Sequence, residues 1–268
     1  MNTEETGTNP GNRISATVIC FNEEEKIEAC LKSLLWADEI IVIDSGSTDR
    51  TLEIAGRLTD KIFSNPWSGY GEQKNKAIQK ASYDWIFSID ADERVTVELA
   101  GEVRKAIDES AGSDGFFIPR KTFYCGKWIR HCGWYPDRKL RLFKKTNGRW
   151  SPGLHERVIL NGKAGDLKGN ILHESFSSIG EHIRTIENFT SIAALELRDS
   201  GKRARPVDLL VRPPAMFFKT YFVKMGFLDG FEGFLVSILS SFHVFLKYSK
   251  LRLLEREERR SGWARSGE

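Results

Sequence analysis

ISATVICFNEEEKIEACLKSLLWADEIIVIDSGSTD, residues 14–49, decides the fold. It opens on a β-branched run, Ile14–Phe21, and switches at Ile27, Leu31, Leu34 and Leu35 to helical spacing. A second apolar run follows at Glu39–Ile43. Period two giving way to period 3.6 and back again is the pattern of strand, helix, strand. Asn22, with Glu25 three residues on, reads as the helix N-cap and its capping-box partner. Working outward, the polar stretch Asp44-Ser45-Gly46-Ser47-Thr48-Asp49 leads into a helix with Leu52, Ile54, Ala55 and Leu58. Ile62–Phe63 is a brief third strand, Gly71–Ala81 a helix, and Trp85–Ile89 a fourth strand ending at Asp90. Strands alternating with helices predict an α/β fold with a mostly parallel central sheet, covered on both faces, to about residue 110.

Beyond Phe116 aromatic and basic residues interleave as far as Trp150, punctuated by Gly126, Gly133, Pro136 and Gly148. Short strands and loops at a mixed edge of the same sheet fit this texture. A helical pattern returns at Glu181–Ser200 and Gly201-Lys202-Arg203 closes it. The expected organisation is a polar, disordered lead-in at 1–13 without a secretory signal, a single domain at 14–200, and a basic helical extension at 201–268. Within the domain, 14–110 forms one half and 111–200 an acceptor half.

The chain has 268 residues with 40 Lys+Arg against 37 Asp+Glu, too balanced for a nucleic-acid partner. Residues 198–268 are different, with 14 Lys/Arg against 8 Asp/Glu. A basic tail on a mildly acidic body suits an anionic membrane surface. In that tail Phe227, Phe231, Phe234, Leu235, Ile238, Phe242, Phe245 and Leu246 share an arc of roughly 120° on a helical wheel. The longest run free of charge, Gly233–Leu246, is 14 residues, short of the roughly 20 that span a bilayer. The stripe therefore packs on its own domain, lies in the plane of a membrane or, as a third alternative, belongs to a true span. The four cysteines form no C-x-x-C pair, which argues against a disulfide framework or zinc site and for a reducing compartment.

In an open parallel sheet ligands bind beyond the carboxyl ends of the strands. Three polar clusters sit at such ends: Asn22-Glu23, Asp44 with Ser45, and Asp90-Ala91-Asp92. For Asn22 a capping role competes with a ligand role. Asp90 and Asp92, two apart in extended backbone, point the same way with Cα atoms about 7 Å apart, a spacing that holds a hard divalent cation. Neither G-x-G-x-x-G nor G-x-x-x-x-G-K-[ST] is present, so a phosphate-bearing ligand would be held by metal, helix N-termini and basic side chains such as Lys74.

Phe21-Asn22-Glu23-Glu24, Val42-Ile43-Asp44-Ser45-Gly46-Ser47-Thr48-Asp49, Gly71-Glu72-Gln73-Lys74-Asn75-Lys76-Ala77 and Ile89-Asp90-Ala91-Asp92-Glu93, in this order, resemble the family 2 glycosyltransferases with a GT-A fold. Leu140-Arg141-Leu142-Phe143, Gly153-Leu154-His155-Glu156-Arg157 and Phe227-Leu228-Asp229-Gly230 resemble the lipopolysaccharide or lipooligosaccharide core β-1,4-glucosyltransferases acting on heptose. The resemblance implies an inverting enzyme moving a hexose, glucose by preference, from a UDP-sugar to a glycolipid or core-oligosaccharide acceptor. It implies a cytoplasmic protein held peripherally at the inner face of the plasma membrane. Asn22, Glu23, Asp44, Ser45, Lys74 and Asp90 would line the nucleotide sugar, and Asp92 would ligate Mg²⁺ or Mn²⁺, joined by His173 from Ile171-Leu172-His173-Glu174. On the acceptor side Glu156 is the first candidate for the base and Asp137 the second. Arg138, Lys139 and Arg141 are either phosphate binders or a solvated basic strand. Two alternatives remain at this level: a membrane-docked sugar-nucleotide-binding protein without turnover, and a haloacid-dehalogenase-type phosphatase. The phosphatase requires its Asp pair on the first strand, whereas here the pair ends the fourth.

Overall fold

The computed structural model describes residues 12–109, 112–153 and 156–265; most of the expected lead-in lies outside these. In chain order the first elements are β1 (Ile14–Cys20), α1 (Ile27–Lys32), β2 (Glu39–Asp44), α2 (Thr51–Ala55), β3 (Ile62–Ser64), α3 (Tyr70–Lys80), β4 (Trp85–Asp90), β5 (Glu93–Val95) and α4 (Val97–Asp108). Then come β6 (Gly115–Tyr124), β7 (Lys127–Trp128), β8 (Asp137–Lys144), β9 (Gly148–Trp150), β10 (Val158–Leu160), β11 (Ala164–Asp166) and β12 (Ile171–Phe176). The chain ends in helices α5 (Ile179–Asp199), α6 (Pro206–Leu210), α7 (Arg212–Phe218) and α8 (Gly230–Arg265), with a π-helical turn at Lys219–Val223 and a 3₁₀ turn at Gly226–Asp229 between α7 and α8.

The main sheet runs β3-β2-β1-β4-β8-β6-β12-β5. The four strands before residue 91 pair in parallel, as their continuous apolar runs predict. Alternation along them divides the core. Ile14, Ala16, Val18, Ile40, Val42, Trp85, Phe87 and Ile89 face the cluster holding α1 and α4. Ile41, Ile43 and Ile86 face the other, with Ala77 and Ile78 of α3. Past Phe116 β6 and β8 are longer and more central than the expected edge, while β7, β9, β10 and β11 are the short strands anticipated. β8 lies antiparallel between β4 and β6, because Leu140, Leu142 and Phe143 bury its inner positions.

Two compact units emerge, one taking residues up to Lys121 with Pro136–Glu174, the other Thr122–Tyr135 with Ser175 onward. This differs from the division expected after residue 200, because α5 belongs with the C-terminal helices. Its buried residues are His182, Ile186, Thr190 and Ala194, and Lys250 of α8 reaches Glu187 and Thr190. Within this second unit α8 is one helix of 36 residues, about 54 Å long. The apolar stripe read from the sequence is its outward side: Phe231 is 65% exposed and Phe245 44%. Gly233, Val236, Ser237, Leu239, Val244 and Leu251 form the buried side instead. Of the alternatives for the stripe, packing on its own unit accounts for Leu235, which is partly buried against Tyr124 and Val236, and leaves the phenylalanines exposed. Among the described residues Gly226–Arg260 is long and apolar enough, by length and composition alone, to cross a membrane.

Candidate active site

Register places the acidic strand ends together. Ile19 lies opposite Asp90 and Cys20 opposite Asp44, so the two aspartates flank the carboxyl end of β1, two strand spacings or about 10 Å apart. Asp44 is buried, and its carboxylate accepts from Gly46 N–H (2.9 Å), Ser47 N–H (3.0 Å) and Ser47 Oγ (2.5 Å). Asn22 corrects the capping expectation. Helix α1 starts only at Ile27, with Lys26 at its cap position and no side-chain cap. Asn22 adopts φ 52°, which its short polar side chain tolerates. Its N–H donates to Ser47 Oγ (2.8 Å) and its Oδ1 accepts from Thr48 N–H (2.8 Å), clamping the 45–49 loop to the end of β1. Glu23 N–H donates to Thr51 Oγ1 (2.8 Å), while Ser45 Oγ accepts from Gln73 Nε2 (3.2 Å).

Behind that loop runs a chain of alternating charges. Glu156 accepts from Lys74 Nζ at 2.9 Å, and the same ammonium meets Asp90 Oδ1 at 2.8 Å. Arg141 Nη2 bridges Asp90 Oδ2 (2.7 Å) and Glu93 Oε1 (2.9 Å). Arg120 bridges Glu93 (3.1 Å) and Asp137 (2.7 Å), and Lys139 ends the series on Asp137 at 3.2 Å. Lys74, Glu93 and Arg141 are all buried, and Trp150 covers Lys74 with its ring centroid 4.4 Å from Nζ. Burial pushes the Asp90 carboxyl upward, but the charges of Arg141 and Lys74 outweigh it and hold the group well below the usual carboxylate range. Removing one member of the fully buried Arg141–Glu93 pair typically costs about 3–5 kcal/mol.

Asp92, two residues on, meets His173 instead. Its Oδ2 lies 3.1 Å from His173 Nε2, and its backbone carbonyl accepts from Glu174 N–H (3.0 Å), so β12 brings the histidine to the aspartate. A carboxylate oxygen and an imidazole nitrogen turned on one another suit a hard-to-borderline divalent ion. His173 Nδ1 is buried without a partner among the described residues, so no competing contact ties the ring elsewhere. Among the described residues no group of three metal-ligating side chains exists. Asp92 and His173 are thus two of the side chains that such an ion could use.

Tyr70, at the start of α3, reports how the acidic groups converge. Burial pushes its hydroxyl up, and the charges of Glu156, Asp90, Asp92 and Glu23 add to the shift. Carboxylates from three separate segments, Glu23, Asp90 with Asp92, and Glu156, thus act on a single hydroxyl. Gly71, next to it, permits the approach of the loop that carries Glu156: a Cβ there would drive into the Ser151 carbonyl. Of the motif Gly153-Leu154-His155-Glu156-Arg157, Leu154 and His155 lie outside the described residues.

Asp137, the second candidate base, has both oxygens engaged by cations. Burial raises its pKa, yet Arg120 and Lys139 outweigh burial and bring it below its ordinary 3.8. A depressed native pKa means that the unfolded chain binds the proton more readily. The resulting stability is present above the ordinary value and is lost as pH falls through the native one. Asp137→Asn is expected to cost about 1.5–3 kcal/mol at neutral pH and to flatten the acid limb of stability measured by urea titration.

Of the basic strand, Arg141 is buried in the site, while Arg138 pairs with Asp166 and Lys139 with Asp137. Glu93, Arg120, Tyr70 and Trp150 were not foreseen as site residues. Glu93 stood in a quoted motif, and Arg141 between Leu140 and Leu142 carried the available signal, a charge inside an apolar strand.

A family model for glycosyl transferase family 2 matches residues 15–157. A lipopolysaccharide core biosynthesis glycosyltransferase, LpsC of Rhizobium meliloti, is 32% identical over 89% of this chain and 91% of its own. An uncharacterized glycosyltransferase of Rickettsia typhi is 31% identical over 92% of this chain and 89% of its own. Among solved structures, Staphylococcus aureus TarS 1–349 in complex with UDP-GlcNAc is 15% identical, covers 89% of this chain and 92% of that one, and has a TM-score of 0.50, a likeness of fold.

Proposed function

Since the chain belongs to the family 2 glycosyltransferases, related to those of lipopolysaccharide core biosynthesis, we propose that it moves a hexose, glucose by preference, from a UDP-sugar to a hydroxyl of a lipopolysaccharide-core or related glycolipid acceptor. The observation that carries this reading is the joining of Asp90 to Glu156 through Lys74, with His173 beside Asp92 two residues on.

Transfer with inversion needs a base for the acceptor proton and a stabiliser for the departing diphosphate. Glu156 is the proposed base: Lys74 holds one oxygen, and the side chain remains partly exposed at 16%. Asp137 is the weaker choice, since a carboxylate whose pKa is depressed by two cations accepts a proton less readily. Asp92 and His173 would hold Mg²⁺ or Mn²⁺. Bound there, the cation supplies neutralisation of the charge that develops on the diphosphate. Asn22, Asp44 and Ser45 shape the loop proposed to meet the nucleotide, and the Arg141–Asp90–Lys74 series keeps Asp90 fixed beside the sugar. No second carboxylic acid is needed, because UDP, its charge met by the cation that Asp92 and His173 would hold, would leave without protonation. The acceptor class and the basic C-terminal helices lead us to propose a cytoplasmic protein held peripherally at an anionic inner membrane face.

The test is a donor screen on purified protein, reading UDP release with Mn²⁺ across a panel of nucleotide sugars and heptose-bearing acceptors. UDP-glucose with a core acceptor is expected to give the fastest acceptor-dependent release. Release from none of the nucleotide sugars would overturn the assignment.

A further inference from the structure

The second unit carries an apolar surface that no part of that unit covers. Phe218 is 59% exposed, Phe222 49%, Phe227 47% and Phe231 65%. Ring contacts make the patch continuous: Phe218 lies 5.1 Å from Phe222, Phe222 5.1 Å from Tyr221, and Tyr221 within 6.3 Å of Phe227 and 5.8 Å of Phe234. It continues along the outward side of α8 through Ile238, Phe242 and Phe245. A helix in water turns its apolar face inward. Here the inward face includes Gly233, Ser237 and the partly buried Ser241, whose Oγ donates to Pro213 O at 2.7 Å. Contiguous exposed apolar surface on this scale marks an interaction site.

The charges select the occupant. Lys219 and Lys224 are exposed beside the aromatic patch. Lys247 has its pKa lowered by burial first and then by the positive charges of Arg212 and Lys202, so like charges crowd there. The acidic residues of the same stretch are withdrawn. Asp229 is buried, accepting from the N–H groups of Arg130 and His131, and Glu232 pairs with Lys127 at 3.5 Å. What the surface offers outward is aromatic area rimmed by cations.

We propose that α7, the turns at 219–229 and the outward side of α8 form an in-plane docking surface for an anionic phospholipid leaflet. Phe218, Phe222, Phe227 and Phe231 enter the acyl boundary, while Lys219 and Lys224 meet the headgroup phosphates and Arg212, paired with Asp208, lies behind them with Lys247. A second copy of the chain fits less well, because a two-fold contact would set these cations against one another. A membrane-crossing α8 fits less well too. Its charge-free run is 14 residues, and Lys250 is bonded to Glu187, Thr190 and Ser191 of α5. The inference rests on the membrane placement proposed above and names the surface responsible for it.

The experiment spins the full chain with sucrose-loaded vesicles of phosphatidylglycerol and phosphatidylethanolamine, and with phosphatidylcholine alone. Binding is expected to the anionic vesicles and to weaken with salt. Phe222→Ser with Phe231→Ser is expected to abolish it, and Lys219→Gln with Lys224→Gln to weaken it about tenfold to thirtyfold. All four positions are exposed, so UDP release measured without vesicles is expected to stay unchanged, which separates this test from that of the transferase reading. Phe227→Trp supplies a second readout, expected to shift blue and to be quenched by brominated lipid. No binding by the native chain would overturn the membrane placement itself. Equal binding by the Phe variant would overturn the surface. Self-association lost in that variant without vesicle binding would assign the face to a second copy, and retention on vesicles through an alkaline carbonate wash would assign α8 as a span.

Discussion

Asp92→Ala is expected to lower transfer about a thousandfold or more while leaving the fold in place. Among the described residues the side chain bonds to His173, and it is 26% exposed, so its removal leaves no cavity in the core. The backbone bond from Glu174 N–H to Asp92 O survives the substitution. What disappears is the carboxylate half of the pair proposed to hold the cation. The loss should therefore appear in metal dependence as well as in rate: added Mn²⁺ should no longer tighten UDP. A thermal midpoint near that of the native chain, together with metal-independent UDP binding, is the signature. Unchanged metal dependence would remove Asp92 from the role.

Glu156→Gln is expected to keep UDP-sugar binding and to cut transfer by about 10²–10⁴, the usual loss when a positioned base is removed. Glutamine preserves shape and still accepts from Lys74 Nζ, so the Trp150-covered ammonium keeps a partner. Only the capacity to take a proton is lost. Steady-state kinetics with donor and acceptor varied separately distinguish this from a packing effect: kcat should fall with little change in the donor KM. Near-normal turnover would shift the role to another carboxylate, Asp137 first, although its two cations argue against it.

The parallel half of the sheet was legible because its strands are buried on both faces and read as unbroken apolar runs, with Asp44 and Asp90 standing where those runs stop. Register then brings these ends together, as the strand-end rule for open sheets anticipates. The pairing of Asp92 with His173 was anticipated by resemblance, since 81 residues separate the two and no local pattern links them. Asn22 was misread because its side chain bonds to a loop 26 residues away instead of to the next helix, a choice made by tertiary structure. Arg120 and Glu93 were invisible for a related reason. A charge is buried when a partner awaits it, and these partners come from distant strands. In the tail the sequence showed the apolar stripe but not which way it faces, because period alone cannot tell a core from an exposed docking face.

The central claim is that the acidic rim binds a diphosphate through a cation held by Asp92 and His173. Pulsed electron paramagnetic resonance of Mn²⁺ on the native protein, recorded with and without UDP, tests it most directly. Ordered Mn²⁺ that appears only with UDP and shows both phosphorus and imidazole-nitrogen coupling is the predicted result, with the nitrogen signal absent from His173→Ala. UDP that binds equally well without Mn²⁺, or a bound Mn²⁺ with no phosphorus coupling, would contradict it.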